Sequence, residues 1–198
     1  MTASTATLAE TAKPRDNKRP QVLDSAARYF REQGYAASSM RDIAAAAGMK
    51  AGSMYYYFAS KEELLVAVHE EGIRRITKAV NAALAGPAGP WERLEAAMSA
   101  HLASLLDGGD YAQVVTRELP RDDGPARRRL IGMRDDYETI FRGLVDALPL
   151  PPETSRRHLR LMLFGAMNWT QHWYRPAGDT PEAIARAFVS VLRKGDQP

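Results

Sequence analysis

The polar side chains best suited to binding chemistry are concentrated between Gly34 and Leu65. This stretch combines hydroxyl, basic and phenolic groups, which hydrogen-bond to phosphate oxygens, and arginine can also bind a base edge. Gly52, Ser53, Tyr55 and Tyr56 fall close together in it, and the hydroxyl groups of the last three can reach phosphates or base edges. This combination favours contact with a nucleic acid.

The basic residues are unevenly distributed along the 198-residue chain. Residues 13–61 contain nine Lys/Arg and four Asp/Glu, whereas residues 62–198 contain 18 Lys/Arg and 19 Asp/Glu. The whole chain has a formal net charge of +3, so the positive excess belongs to its first third. A small basic unit on a neutral body favours a polyanionic partner. Charge alone is equally compatible with a solvated surface.

Three short helices are predicted ahead of a longer one. The first runs from Pro20 to Gly34, where glycine is a suitable C-cap. Ser39 and Ser60 each precede an acidic residue three positions later, which is the pattern of a capping box. The later helices are therefore expected from Ser39 to Gly48, from about Ala51 to Phe58, and from Ser60 to about Leu84.

The rest of the chain also predicts helices, separated by breakers rich in glycine and proline. The expected helices are Trp91–Leu106, Tyr111–Leu119, Ala126–Leu148, Glu153–Tyr174 and a last one that Thr180 caps and that ends near Arg193. No stretch shows the sustained alternation of a strand. The predicted fold class is all-α, with about nine helices and no strands.

Residues 34–65 have the layout of a helix-turn-helix. The second helix packs through Ile43, Ala44 and Ala47, and Gly48 takes the tight turn, where a Cβ would clash. The third helix presents small residues and tyrosines outward, so its N-terminal end can approach the floor of a groove. The second helix of such a motif reads base edges in the major groove.

The aromatic residues of the third helix divide between two roles. Tyr57 and Phe58 would face the first helix, and we assign both to the core. Core packing is also the plain alternative for Tyr55 and Tyr56. We favour phosphate or base contact for this second pair.

The same segment resembles the signature of TetR-type transcriptional repressors, from Val22 to Leu65. The residues that carry the resemblance are Gly34-Tyr35, Ser39, Ile43-Ala44, Ala47-Gly48, Gly52 to Phe58 and Ser60 to Leu64. The resemblance implies an all-helical homodimer whose N-terminal domain binds double-stranded DNA at a palindromic operator. It also implies a C-terminal domain that releases the DNA when a small-molecule effector binds.

On this basis the chain divides into three parts. Residues 1–18 are expected to be a disordered arm, residues 19–65 the helix-turn-helix DNA-binding domain, and residues 66–198 the ligand-binding and dimerisation domain. In the resembling family, the last two helices pair with their symmetry mates as a four-helix bundle. The apolar stripes on these helices are equally compatible with an intramolecular core.

The resemblance also implies a role for each matching position. Ser39 falls where the family contacts phosphate, Arg41 where some members contact a base edge, and Lys61 where a lysine contacts phosphate. The contact positions of the recognition helix match Gly52, Tyr55 and Tyr56.

The chain departs from the family's pattern at Lys50 and Ala51. The family often has Ser or Thr at the first position and Lys at the second. Lys50 cannot cap the third helix by accepting a hydrogen bond. We expect it instead to supply the missing positive charge one position early.

The C-terminal part carries a weaker resemblance, to TetR-type repressors of fatty-acid and sterol catabolism that respond to acyl-CoA thioesters. It rests on Trp169 and Trp173, four residues apart on one helical face, and on the adjoining Arg175. It implies a long pocket with basic residues at its mouth. Four methionines would suit an adaptable apolar lining, although each alone is better explained as core. They are Met98, Met133, Met162 and Met167.

Several other classes of protein have little support. The chain has no cysteine, no phosphate-binding glycine loop, no catalytic motif and no histidine pair with metal spacing. We therefore expect no enzyme activity, metal or cofactor, and a cytoplasmic protein with no membrane span. Two rival hypotheses remain. One is a helical small-molecule-binding protein whose helix-turn-helix is structural only, and the other is a small helical enzyme with an unrecognised site.

Overall fold

The computed structural model describes residues 18–107, 109–120 and 123–194, with the side chain of Lys194 omitted. The predicted disordered arm therefore lies outside the described residues, apart from Lys18. All the regular structure in the described ranges is helical, which confirms the predicted all-α class.

Nine α-helices occupy the described ranges. In chain order they are α1 (Arg19–Gln33), α2 (Met40–Ala46), α3 (Ala51–Tyr57), α4 (Lys61–Ala83), α5 (Pro90–Leu106), α6 (Asp110–Arg117), α7 (Pro125–Asp146), α8 (Arg156–Trp173) and α9 (Pro181–Lys194).

Side-chain caps set the start of four helices, α2, α4, α8 and α9. Ser39 and Ser60 accept hydrogen bonds from the backbone N–H groups three residues on, as the sequence pattern predicts. The predicted start of α8 at Glu153 is wrong, because the chain turns after two consecutive prolines and Ser155 provides the cap. The predicted end of α6 at Leu119 is also wrong, because Glu118 already has an extended backbone.

The first apolar core joins α1, α2, α3 and the N-terminal half of α4. Its large buried side chains include Phe30, Ile43, Met54 and Leu64. This core is not confined to the predicted DNA-binding segment, since Tyr111, Val114 and Leu130 of α6 and α7 also belong to it.

The second apolar core lies among α5, α7, α8 and α9, with α5 packed against the other three. Its buried members include Met98, Phe141, Leu163 and Met167. Helix α4 reaches this core as well, through the buried side chain of Val80. Helices α4 and α7 therefore each belong to both cores.

Helix α4 approaches α6 most closely at Gly72. A Cβ at this position would lie 2.7 Å from Val115 Cγ2 and 3.4 Å from the Tyr111 backbone oxygen. The 2.7 Å separation is shorter than a Cβ tolerates, so a side chain at this position would displace Val115. Glycine at this position therefore sets the spacing between α4 and α6.

The turn of the helix-turn-helix depends on Gly48, although not through the clash that the sequence analysis expects. Its φ angle is 65°, in the left-handed region. No atom lies within 4 Å of the position that a Cβ would take. The requirement for glycine therefore comes from the backbone conformation itself.

We expect Gly48→Ala to lower the free energy of unfolding by about 1 kcal/mol, because alanine is strained in this conformation. Gly132→Ala is the matched control, since Gly132 is exposed within α7 and a Cβ there would meet nothing within 4 Å. It should instead raise stability by up to about 1 kcal/mol. Equilibrium urea denaturation measures the stability of both variants. Equal effects of the two substitutions would show that the backbone conformation at position 48 does not require glycine.

Candidate DNA-binding surface and ligand cavity

Helices α2 and α3 present the predicted contact residues to solvent. Met54 is the buried residue of α3 and anchors the helix on the first core. Tyr55 and Tyr56 are 56% and 55% exposed. The remaining exposed members of this surface are Ser39, Arg41, Lys50, Gly52 and Ser53.

The other aromatic residues here point to the core. Phe58 is buried and Tyr57 packs against the first core, as predicted. The Arg19 guanidinium lies 5.2 Å from the centroid of the Phe58 ring. Lys50 precedes α3 without capping it through its side chain, which also agrees with the sequence analysis.

Lys61 has an intramolecular role that the sequence does not reveal. Its ammonium group donates hydrogen bonds of 2.8 Å to the backbone oxygens of Tyr35 and Ser38. It also lies 4.4 Å from the centroid of the Tyr35 ring. Lys61 thus fastens the start of α4 to the turn between α1 and α2. An ammonium has three N–H donors, and the two carbonyls use two of them.

A cavity of about 530 Å³ lies between α1, α4, α5, α6, α7 and α8. This volume is typical of a small-molecule site. The side chains that matter below are Asp24, Arg75, His101, Tyr111, Arg134, Tyr137, Phe164 and Asn168. The cavity wall therefore includes a residue of α1, which otherwise belongs to the DNA-binding core.

The cavity lies apart from the residues predicted to bind the ligand. None of the seven predicted ligand-binding residues, all of them described, lines it. Met98 and Met167 are buried in the second core, and Met133 packs against the first. The other four are exposed, and they are Met162, Trp169, Trp173 and Arg175.

The direction of side chains on α8 explains this difference. Successive residues of a helix are about 100° apart, so Asn168 reaches the cavity while Trp169 points to solvent with 62% of its surface exposed. The Trp169 ring stacks on His172 at 4.0 Å. Arg175 donates to the backbone oxygens of Trp173 and Tyr174.

One wall of the cavity is an ionic and hydrogen-bonded network. The Tyr111 hydroxyl donates to Asp24 Oδ1 at 2.8 Å, and Arg75 Nη2 lies 3.4 Å from the same oxygen. The Arg75 guanidinium sits 4.1 Å from the centroid of the Tyr111 ring and pairs with Glu71 at 2.7 Å. This network, here called the α1–α4–α6 network, joins Asp24, Glu71, Arg75 and Tyr111.

Glu71 and Tyr111 of this network differ in protonation state. Hydrogen bonding from Arg74, together with Arg75, lowers the pKa of Glu71 to about 2. Burial and the neighbouring Asp24 carboxylate raise the pKa of Tyr111. Tyr111 is therefore a neutral donor and Glu71 an anion across the physiological range.

The opposite wall holds a buried polar cluster from α5, α7 and α8. His101 Nδ1 lies 2.8 Å from the Tyr137 hydroxyl, and His101 Nε2 lies 3.3 Å from Asn168 Oδ1. Phe164 packs edge-on against His101, with ring centroids 5.9 Å apart. Burial lowers the pKa of His101 to about 4, so its imidazole is neutral at pH 7. We call His101, Tyr137 and Asn168 the polar cluster.

The sequence analysis missed the polar cluster because it tested the histidines only for metal spacing. The available signal was helical periodicity, since His101 follows Met98 by three residues and precedes Leu105 by four on the buried face of α5. No comparable signal marks Asp24, because its cavity neighbours come from distant parts of the chain.

Comparison with known families decides what kind of protein this is. Residues 22–68 match the family described as bacterial regulatory proteins, tetR family. Residues 87–195, more than half of the chain, match the family described as Tetracyclin repressor-like, C-terminal domain. The chain belongs to the TetR family.

Relatives of this TetR-family chain align over most of their length. KstR2, an HTH-type transcriptional repressor of Mycobacterium tuberculosis (strain ATCC 25618 / H37Rv), is 27% identical over 188 residues, which cover 91% of this chain and 93% of KstR2. The fatty acid metabolism regulator protein of Bacillus subtilis (strain 168) is 26% identical over 160 residues, covering 77% and 82%.

A solved structure shows the same fold. AibR in complex with isovaleryl coenzyme A and operator DNA has a TM-score of 0.78 to this chain at 24% identity, covering 88% of this chain and 97% of AibR. As a member of the TetR family, this chain is a DNA-binding transcriptional regulator. Across the described ranges, no helix combines the length and apolarity that crossing a bilayer requires.

Two buried histidines should make folding sensitive to mild acid. Burial lowers the pKa of both His69 and His101 to about 4 from an ordinary value near 6.5. The unfolded chain therefore binds more protons between pH 6.5 and 4, and stability falls as the pH falls through that window. From pH 7 to pH 5 we expect a loss of about 2 kcal/mol per histidine.

Urea denaturation at several pH values between 7 and 5 measures this loss. Glu71 contributes little there, because its carboxyl stays ionised in both states above about pH 5. His69→Leu should remove about half of the pH dependence while leaving His101 in place. An unchanged pH dependence in this variant would show that His69 is not a buried neutral group.

Proposed function

We propose that this TetR-family regulator is a repressor that binds a near-palindromic operator as a homodimer and is released by an acyl-CoA thioester. The observation that carries the proposal is the cavity wall, which includes Asp24 of α1 as well as residues of α4–α8. A ligand in this cavity would contact the DNA-binding unit directly. Because its partner is DNA, we expect it to act in the cytoplasm.

The exposed face of α2 and α3 supports the DNA-binding half of the proposal. Arg41 is proposed to bind a base edge, with Gly52, Tyr55 and Tyr56 against the groove. Lys50 and Lys61 are proposed to neutralise phosphates, and the hydroxyl groups of Ser39 and Ser53 to hydrogen-bond with them.

A second copy of the chain is proposed to cover exposed apolar side chains on the last two helices. These side chains are Leu161, Met162, Trp169 and Trp173 on α8 and Val191 on α9, and all five are exposed in the single chain. Large exposed apolar side chains of this kind favour an interface. Pairing through it would place two recognition helices about one DNA turn apart, roughly 34–36 Å.

The charged residues of the cavity lining are four carboxylates and two arginines. Three of the carboxylates are in ion pairs, Asp24 with Arg75, Asp110 with Arg31 and Glu138 with Arg160, and Asp107 accepts from the Gly109 backbone N–H. Arg134 lines the cavity, and no ion pair involves it within the described part of the chain. Its guanidinium is proposed to bind a phosphate of coenzyme A. The acyl group would enter the interior, where Phe164 and Leu105 contribute apolar surface.

The relatives support this ligand class. AibR, which has the same fold, binds isovaleryl coenzyme A, and the Bacillus subtilis relative is named for fatty acid metabolism. A thioester has the two ends that the cavity requires, an acyl group for its interior and phosphates for Arg134.

Release of DNA is proposed to act through the α1–α4–α6 network. A ligand that displaces the Tyr111 ring would separate its hydroxyl from Asp24 and move Arg75. Since Arg75 lies on α4, whose first residue is Lys61, the spacing of the recognition helices would change. The ligand must bind this rearranged state better than the operator-bound state, because affinity alone shifts nothing.

DNA binding can be tested with single substitutions on an operator selected from a random duplex pool. Lys61→Ala should weaken binding to all sequences alike and reduce the salt dependence by about one counterion, because one phosphate contact is lost. Lys78→Ala, an exposed position farther along α4, should leave the salt dependence unchanged. Fluorescence anisotropy across a salt series measures both.

Arg41→Ala provides the contrasting result. It should relax the preference between operator and random DNA by about 1–3 kcal/mol if Arg41 makes a bidentate base contact. Weaker binding by Lys61→Ala without a change in salt dependence would limit Lys61 to fastening α4. If the unmodified protein binds no duplex, the helix-turn-helix is structural only and the small-molecule-binding alternative holds.

Ligand release can be tested by titrating the operator complex with octanoyl-CoA, palmitoyl-CoA, the matching free acids and coenzyme A alone. The thioesters should release the DNA at lower concentrations than either fragment. Arg134→Gln should raise the required thioester concentration roughly tenfold, since a charge-assisted hydrogen bond is lost. Arg142→Gln, exposed on the same helix and outside the cavity, should have no effect. Equal release by the free acids would refute the thioester assignment.

A further inference from the structure

The polar cluster is an unusual feature of an otherwise aromatic wall. His101 and Tyr137 are buried, and Phe141 and Phe164 surround the His101 ring with centroid distances of 6.0 and 5.9 Å. Buried polar groups normally satisfy each other or bind something. The cluster satisfies itself only in part, and the remaining capacity lies on residues that line the cavity.

The hydrogen-bonding roles within the cluster follow from the donor inventory. Asn168 Oδ1 can only accept, so the proton of the neutral imidazole lies on His101 Nε2. His101 Nδ1 is then an acceptor, and the Tyr137 hydroxyl donates to it at 2.8 Å. This chain of bonds fixes the orientation of the Asn168 amide.

Two kinds of hydrogen-bonding capacity remain on the cavity side. Asn168 Nδ2 carries two N–H donors, for which the described residues supply no acceptor within hydrogen-bonding distance. The Tyr137 oxygen retains lone pairs because its proton is directed to His101. Asn168 therefore presents donors to the cavity, and a ligand oxygen is the matching acceptor.

We propose that Asn168 recognises an oxygen of the ligand, either the thioester carbonyl or an oxygen on the acyl group, and that His101 and Tyr137 position its amide. The proposal rests on the acyl-CoA function proposed above and adds the chemical feature that the cavity selects. A site built to hydrogen-bond one group rejects an analogue that lacks it, because its own buried polar atoms are then left unpaired.

Three ligands of matched chain length separate the two sources of the oxygen. Octanoyl-CoA has the thioester carbonyl, 3-hydroxyoctanoyl-CoA adds a hydroxyl, and S-octyl-CoA, a thioether, has neither. Calorimetric titration of the DNA-free protein measures the three affinities. The thioether should bind at least tenfold more weakly than the tighter-binding of the two oxygen-containing ligands. If octanoyl-CoA binds more tightly than the thioether, Asn168 recognises the thioester carbonyl. If 3-hydroxyoctanoyl-CoA binds more tightly than octanoyl-CoA, Asn168 recognises the oxygen on the acyl group.

The same three titrations on variants connect this preference to the cluster. Asn168→Leu should reduce the preference to less than threefold, because the donors are gone. Asn81→Leu removes an exposed amide from α4, outside the cavity, and should keep the full preference. Tyr137→Phe leaves Asn168 intact but removes the donor to His101, so it should give an intermediate preference.

The tautomer of His101 gives a second measurement that needs no ligand and no variant. Nitrogen-15 chemical shifts near pH 7 should show the proton of His101 on Nε2. A proton on Nδ1 would reverse the orientation of the Asn168 amide and overturn the proposal, even if a substituted protein failed to fold.

The titrations distinguish this inference from the function on which it rests. If the three ligands bind equally well to the unmodified protein, the oxygen preference is refuted and the acyl-CoA assignment stands. If none of them binds, the acyl-CoA assignment fails and the proposed recognition fails with it. An equal preference in the unmodified protein and in Asn168→Leu would locate the selectivity elsewhere in the cavity.

Discussion

Helix α4 packs into both apolar cores, and the rest of the structure depends on this shared helix. Leu64 and Leu65 are buried with the DNA-binding helices, whereas Val80 is buried among α5, α7 and α8. Between these ends, Gly72 brings α4 against the backbone of α6. Close-packed cores adjust in discrete steps rather than by continuous deformation. A rearrangement on the ligand side of α4 therefore reaches the helix-turn-helix through a rigid element.

The α1–α4–α6 network links three helices but contributes little to the free energy of unfolding. Asp24 and Arg75 are both largely exposed, and exposed ion pairs contribute little to the free energy of unfolding. Their value lies in sharing one oxygen, Asp24 Oδ1, with the Tyr111 hydroxyl. That shared atom ties α1, α4 and α6 together at the edge of the cavity. In the proposed mechanism, a ligand in the cavity would compete with Asp24 of α1 for its contacts with Tyr111 and Arg75.

Helix α8 shows how one helix serves three environments. Leu163 and Met167 lie in the second core, Phe164 and Asn168 face the cavity, and Trp169 faces solvent. The two tryptophans therefore lie on the proposed dimer surface and outside the cavity. The polar groups of the cavity, in contrast, come from positions that the sequence presents as ordinary members of amphipathic helices.

The sequence by itself determined the features that depend on neighbours a few residues apart. Helix periodicity, the serine caps and the turn at Gly48 identified the helix-turn-helix and the exposed tyrosines, because 3.6-residue spacing and capping are local. Only the tertiary structure decided that Lys61 holds the α1–α2 turn and that a cavity opens beside Asp24. Six helices from distant parts of the chain meet at that cavity, so its lining depends on long-range packing that no local pattern records.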